Sequence, residues 1–117
     1  MTLLHATATG IMSMTLMGAP AMAGVALTLD LGPAGETTAA TYRCDDGDLV
    51  VTYVNVGANS LALLQVDGEE RVFVNVMSAS GARYVSGSLE WWSKGDGAVL
   101  TDLQDEDSGT SCTASQE

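Results

Sequence analysis

Histidine is nearly missing from this chain: the one copy, His5, sits within the first few residues. Lysine and phenylalanine occur once each, and cysteine and proline twice each, among 117 residues. Each shortage excludes a class of chemistry. Beyond His5 there is no imidazole to serve as the base of a Ser-His-Asp or Cys-His arrangement. Two isolated thiols with no histidine nearby cannot supply the four ligands of a zinc site. Paired carboxylates can hydrolyse glycosides, but with fifteen acidic residues some pairing arises by chance. No catalytic constellation is recognisable, so neither an enzyme nor a cofactor is expected. Positive charge is scarce too. Four Lys and Arg face fifteen Asp and Glu, for a net charge of −11. Such a field repels nucleic acid and anionic headgroups and attracts basic proteins.

A long unbroken apolar run is also missing. Residues 1–23 are apolar and carry no acid, with Ile11, Met12, Met14, Leu16, Met17 and Met22. Gly18 and Pro20 interrupt the stretch, and it is too short for a membrane span. It closes on Ala21-Met22-Ala23, the small-x-small pattern of signal-peptidase cleavage, although no Lys or Arg precedes the apolar run. The reading is therefore a cleaved signal peptide over 1–23 and export. Removing 23 residues from 117 leaves 94, which retain every charged side chain. A chain that short builds a limited core and often needs a staple. Cys44 and Cys112 form an even pair in an exported chain, which implies one disulfide with a single possible connectivity.

Residues 24–39 contain Gly, Pro33, Thr and Ala and read as an N-terminal linker. Val25 to Leu31 alternates like a short strand, but Gly32-Pro33-Ala34-Gly35 breaks it. From residue 40 to 117 short apolar runs are divided by turn residues. Strand patterns cover Thr41–Cys44, Leu49–Val54, Ser60–Val66, Arg71–Met77, Arg83–Ser86, Leu89–Ser93 and Ala98–Leu103. Asp67-Gly68 is a tight hairpin signal, and Val72, Val74 and Val76 share one face. The acidic, polar residues 104–117 read as a tail pinned by Cys112. Seven or eight short strands and no helical period predict an all-β antiparallel barrel or sandwich. A closed barrel has the merit of leaving no exposed edge.

Few residues stand out as sites. Asp45-Asp46-Gly47-Asp48 and Asp102 to Asp107 have the acid density of calcium loops but lack the ligand spacing, so no metal is expected. In Trp91-Trp92 one ring must face the core and the other solvent. An outward Trp91, or Tyr53, would suit a sugar-binding platform. Lys94 lies in Lys94-Gly95-Asp96-Gly97, where two glycines permit an exposed turn. A lone ammonium on a loop tip of an acidic protein is suited to probing a carboxylate pocket.

Taken together, these residues form a pattern. Ser80-Gly81-Ala82-Arg83-Tyr84 fits SGxxY, and Tyr84 to Gly95 fits YxxGxxxxWxKG at every defined position. Both motifs resemble those of the MliC/PliC family of C-type lysozyme inhibitors. Tyr42-Arg43-Cys44-Asp45 and Cys112 also fit the family layout, so the resemblance spans about Thr41 to Cys112. It implies an eight-stranded antiparallel β-barrel closed by one disulfide, and a C-type lysozyme as partner. It places Ser80, Gly81, Tyr84, Lys94 and Gly95 in lysozyme binding. Ser80 and Lys94 would enter the active-site cleft. Gly81, Tyr84, Gly87, Trp92 and Gly95 would shape the loops, with Trp92 rather than Trp91 in the structural role. Membrane-bound members carry a cysteine directly after the signal; here Gly24 stands there. The soluble periplasmic type fits better, with no stable membrane anchor. The alternatives are a peptidoglycan- or carbohydrate-binding module and a structural envelope protein. Oligomeric state is not legible.

Intact-mass measurement of the exported protein should give a chain that begins near Gly24 and carries no lipid. A lipid adduct, or retention of residues 1–23, would count against this reading.

Overall fold

The computed structural model describes residues 2–3, 10, 15–19 and 24–115. The predicted cleavage sequence Ala21-Met22-Ala23 lies outside the described residues. Eight strands follow in order: β1 (Gly35–Cys44), β2 (Gly47–Val56), β3 (Asn59–Val66), β4 (Glu69–Val76), β5 (Ala82–Ser86), β6 (Leu89–Lys94), β7 (Gly97–Asp102) and β8 (Asp105–Ala114). Each pairs antiparallel with the next, and β8 returns to β1, closing a barrel. Every connection but one is a two-residue turn. In the β3–β4 turn Asp67 and Gly68 have φ of 52° and 80°. Two successive positive φ values are what a type I′ hairpin turn demands, and Asp-Gly supplies them at low cost. The exception is the five-residue connection of residues 77–81 between β4 and β5.

Two features of the chain pattern read differently in three dimensions. The eighth strand is not the alternating segment Val25–Leu31, which forms no strand, but β8, cut from the polar stretch expected to be a tail. β8 has almost no apolar side chain to reveal it, and its one buried residue is Cys112. Backbone pairing with β7 and β1 makes it a strand. β1 likewise starts at Gly35, upstream of its apolar pattern, because Gly35 to Ala40 pair with Val56 to Val51 of β2.

The core is a ring to which every strand contributes: Tyr42, Val51, Ala62 and Leu64, Phe73, Tyr84, Trp91, Ala98 and Cys112. Small Ala62 and Ala98 make room for Trp91 and Phe73, both fully buried. Side chains alternate across a strand. With the sole phenylalanine inward on β4, its neighbours Val72 and Val74 must face out, and they are about half exposed, at 51% and 52%. The valine face of β4 is thus the outer one.

Cys44 and Cys112 sit directly opposite each other on β1 and β8 and are disulfide-bonded across a separation of 68 residues. Asp45 reinforces the seam: its N–H donates to the Ser111 carbonyl (3.1 Å) and its carboxylate accepts from the Ser111 N–H (3.2 Å). Direct β1–β8 pairing covers only Tyr42–Cys44 and Cys112–Ala114, so the bond staples the shortest part of the closure.

Reduction should lower stability by about 4 kcal/mol, from the loop entropy released to the unfolded chain. Thermal melts with and without reductant would show a loss on the order of 15 °C. An unchanged melt with both thiols free would refute the staple.

Candidate functional site

The β-turns divide between two ends of the barrel. At one end lie the β1–β2, β3–β4, β5–β6 and β7–β8 turns. At the other lie the β2–β3 turn, the long β4–β5 loop and the β6–β7 turn. Ser80 and Lys94 belong to this second, loop-bearing end, and the path of the chain explains how they meet. β5 and β6 pair through Ala82↔Ser93, so the end of the β4–β5 loop is laid against the end of β6.

Gly81 makes that approach possible. Its φ is 67°, and a Cβ built on it would stand 2.5 Å from the Ser93 carbonyl oxygen and 3.1 Å from Lys94 Cβ. Any side chain there would clash and would also strain the backbone. The absence of a side chain lets the Ser80 loop lie directly on the stem of Lys94. Gly95, with φ 58°, starts the two-residue turn that follows, and nothing crowds it. Its role is backbone conformation, whereas that of Gly81 is both conformation and contact.

The loop is held by its backbone, which leaves the Ser80 side chain available. The Trp92 indole N–H donates to the Ser80 carbonyl at 3.0 Å, and the Ser78 hydroxyl donates to the same oxygen. The Ser80 hydroxyl itself has no partner among the described residues, and Ser80 is exposed. Lys94 is exposed too, with Asp96 two residues on in the same turn. Further along β5 and β6, Arg83 and Glu90 form an ion pair on the outer surface, and the Asn75 side chain donates to the Arg83 carbonyl (3.1 Å). An exposed cation and an uncommitted hydroxyl therefore belong to adjacent loops at one end of the barrel.

Of the five residues assigned to binding, Ser80, Gly81, Lys94 and Gly95 cluster at this end. Tyr84 does not reach the surface. It is 7% exposed and lies in the barrel interior, its ring 5.7 Å from that of Tyr53. Its place in the motif is support from below. The tryptophans also sort themselves. Trp91 is fully buried and packs edge-on against Tyr42 at 5.0 Å, while Trp92 is the outward ring. Tyr53 faces inward, accepts a hydrogen bond from the Trp91 indole (2.9 Å) and shares one with Tyr42 (2.8 Å). Neither Trp91 nor Tyr53 is free to form a flat platform for sugars, which removes the basis of the carbohydrate-binding alternative. The link from Trp92 to Ser80 has no signature beyond the motif spacing, because it runs to a backbone oxygen twelve residues away.

The acidic runs do different work. Asp45 ties β1 to β8. Asp102 accepts from the Gln104 N–H at 3.0 Å and shapes the β7–β8 turn.

The aromatic cluster beneath the loops also governs alkaline behaviour. Burial is the main force holding the Tyr42 phenol far above its ordinary range, followed by its hydrogen bond with Tyr53. Burial, then the nearby Tyr53, raises Tyr84. A raised folded-state value means the unfolded chain releases its protons first, near pH 10. The contribution of these phenols to stability is complete below about pH 10 and is lost as pH rises beyond it. In an ultraviolet titration two of the three tyrosines should ionise only as the protein unfolds. Three phenols titrating near pH 10 in a folded barrel would contradict the buried cluster.

A family model described as "Membrane-bound lysozyme-inhibitor of c-type lysozyme" (MliC) matches residues 42–108. The chain is 44% identical over 69 residues to a membrane-bound lysozyme inhibitor of C-type lysozyme from Cupriavidus necator, covering 58% of this chain and 55% of the relative. It is 46% identical over 67 residues to the protein of that name from Pseudomonas aeruginosa, covering 56% and 53%. The chain thus matches about half the length of these curated relatives. Its fold is similar to a crystal structure of Pseudomonas aeruginosa MliC in complex with hen egg white lysozyme. The TM-score is 0.68 and the identity 38%, over 80% of this chain and 99% of that one. No helix among the described residues is long and apolar enough to cross a membrane.

Proposed function

The chain belongs to the MliC family of lysozyme inhibitors, and from that membership we propose that it inhibits a C-type lysozyme by presenting Ser80 and Lys94 to the active-site cleft. It acts as an inhibitor and not as an enzyme, in the periplasm, after removal of residues 1–23. The observation that carries the site is the packing of Gly81 against Lys94, which brings the loop of Ser80 against the stem of the lysine.

The chemistry of the target suits these two groups. C-type lysozymes hydrolyse glycan with a pair of carboxyl groups. Lys94 is the only lysine of the chain, mounted on a Gly-flanked turn, and it brings a single positive charge to that pair. The attraction grows as water is excluded, because the effective dielectric falls. Ser80 donates its hydroxyl proton to a carboxylate oxygen without adding charge. Its carbonyl is already engaged by Trp92 and Ser78, so little loop entropy remains to be lost on docking. Four features, the Trp92 bond, the Ser78 bond, the Gly81 contact and the Gly95 turn, hold the two side chains in position before the partner arrives.

Lys94→Ala should weaken inhibition of a C-type lysozyme by roughly thirty- to several-thousand-fold, the cost of stripping one member from a desolvated charge contact. Ser80→Ala should cost about 1–2 kcal/mol, or roughly five- to thirty-fold. Trp92→Phe, which keeps a ring but removes the indole N–H, should fall nearer the Ser80 variant. Inhibition constants would be read beside melting curves, with Trp91→Ala expected to fail on folding alone. A folded Lys94→Ala protein that inhibits as well as its parent would make the proposed mechanism wrong.

A further inference from the structure

Inhibition leaves one apolar surface of the barrel unused, and it lies on the outside. Cross-strand register places Val54 opposite Leu61, Leu61 opposite Val74, and Val74 opposite Val85. These four side chains form a belt across the outer face of β2, β3, β4 and β5. Leu63 and Val72 are also paired and add a second row. In a protein of net charge −11, an uncharged belt of this kind needs a cover.

The segment before β1 has the matching pattern. In Val25-Ala26-Leu27-Thr28-Leu29-Asp30-Leu31 every second residue is a large apolar one, so an extended chain presents them on one face and Ala, Thr and Asp on the other. The two surfaces already share a groove of about 490 Å³, with Leu27, Leu29 and Leu31 on one wall and Leu61, Leu63 and Val72 on the other. The chain is turned toward the belt by residues 30–32. The Asp30 carboxylate accepts from the Gly32 N–H (3.3 Å), and Gly32 takes a φ of 117°. Gly35 then enters the barrel opposite Val56, at the edge of the same outer face. Exposure falls steadily along the segment: Val25 is fully exposed, Leu27 79% and Leu29 55%, and Leu31 is partly buried. The segment is engaged at its C-terminal end and stands off at its N-terminal end.

We propose that residues 25–31 are a hydrophobic strap that closes over the outer face of β2 to β5, so that the chain covers its own apolar belt. Extended, seven residues reach roughly 20 Å, and four strands span roughly 14 Å between the outer two, so the strap is long enough to cross the belt. β2 and β3 are already paired beneath it, so the strap lies on the face and adds no strand to an edge. Its contribution comes from burying leucine and valine side chains, and its turn at Gly32 sets the direction. The belt would otherwise be open to a second copy of the chain.

Engineered cysteines can test the strap, because both native thiols are consumed in the disulfide. Leu29→Cys would be combined in separate variants with Leu61→Cys, Leu63→Cys or Val72→Cys, in the exported protein. At least one pair should oxidise within a single chain, at a rate independent of protein concentration, with the bridge mapped by peptide mass. Leu27→Asp/Leu29→Asp should also raise the binding of an apolar fluorescent dye and lower the melting temperature by several degrees. Disulfide-linked dimers in place of the internal bridge would overturn the strap and assign the belt to a second copy. Failure of all three pairs to bridge, with every engineered thiol still open to maleimide, would overturn it as well. Lysozyme inhibition is not expected to change in these variants, so the outcome is independent of the proposed function.

Discussion

Closure of β8 onto β1 is the constraint on which the rest of this barrel depends. β8 is built from Asp, Glu, Ser, Thr and Gly, and it contributes little burial of its own. Its value is geometric. By satisfying the free edges of β7 and β1 together it removes both exposed edges and completes the ring around Trp91 and Phe73. Only three residue pairs join β8 to β1, and that shortness explains why the disulfide and the Asp45–Ser111 hydrogen bonds converge at this seam. Backbone bonds from Ala114 to the Asp96 carbonyl (2.7 Å) and from Ser115 to that of Thr41 (2.8 Å) carry the closure on toward the loop end. Through the Asp96 carbonyl it reaches the turn that directly follows Lys94, so the stapled seam and that turn belong to one hydrogen-bonded assembly.

What the chain pattern reveals follows from which strands depend on side chains. β2 to β7 carry apolar or aromatic alternation, and their turns hold Gly or Asp, so they are legible at once. β8 and the first half of β1 depend on backbone pairing, and pairing leaves no mark in composition. The parity of β4 was ambiguous for the same physical reason. Its valines alternate, but so does Arg71-Phe73-Asn75, and only the volume of Phe73 decides which set fills a barrel. Trp91 and Trp92 pose the same problem in adjacent positions. The register Tyr84↔Trp91 and Arg83↔Trp92 resolves it by pairing one ring with a buried residue and the other with a charged one.

The residues of the motif are more legible than β8, because several of them are dictated by backbone conformation and spacing betrays them. Gly81 and Gly95 each adopt a positive φ, and Lys94 stands between them and the only lysine of the chain is hard to overlook. The motif spacing could not say how each residue serves. Tyr84 shares the motif yet lies inside the barrel, and Trp92 acts through its N–H on a carbonyl. A motif collects residues that must be kept together; it does not separate those that touch a partner from those that hold them in place.

Charge is distributed along the barrel axis in a way that composition conceals. Asp45, Asp46, Asp48, Asp67, Glu69, Glu70, Asp102, Asp105, Glu106 and Asp107, ten of the fifteen acids, lie in or beside the turns at the end opposite Ser80 and Lys94. The molecule is therefore polarised. A basic partner is drawn by the net charge of −11, and most of that charge lies toward the other end of the barrel from Lys94. At physiological ionic strength a charge is screened within about 8 Å, so acids beyond that distance act only weakly on Lys94. The loop end carries fewer acids, Asp96 in the β6–β7 turn and Glu36 at the start of β1 among them, beside the one ammonium of the chain. Segregating most of the acids lets a strongly negative protein carry its one ammonium at the end with fewer of them.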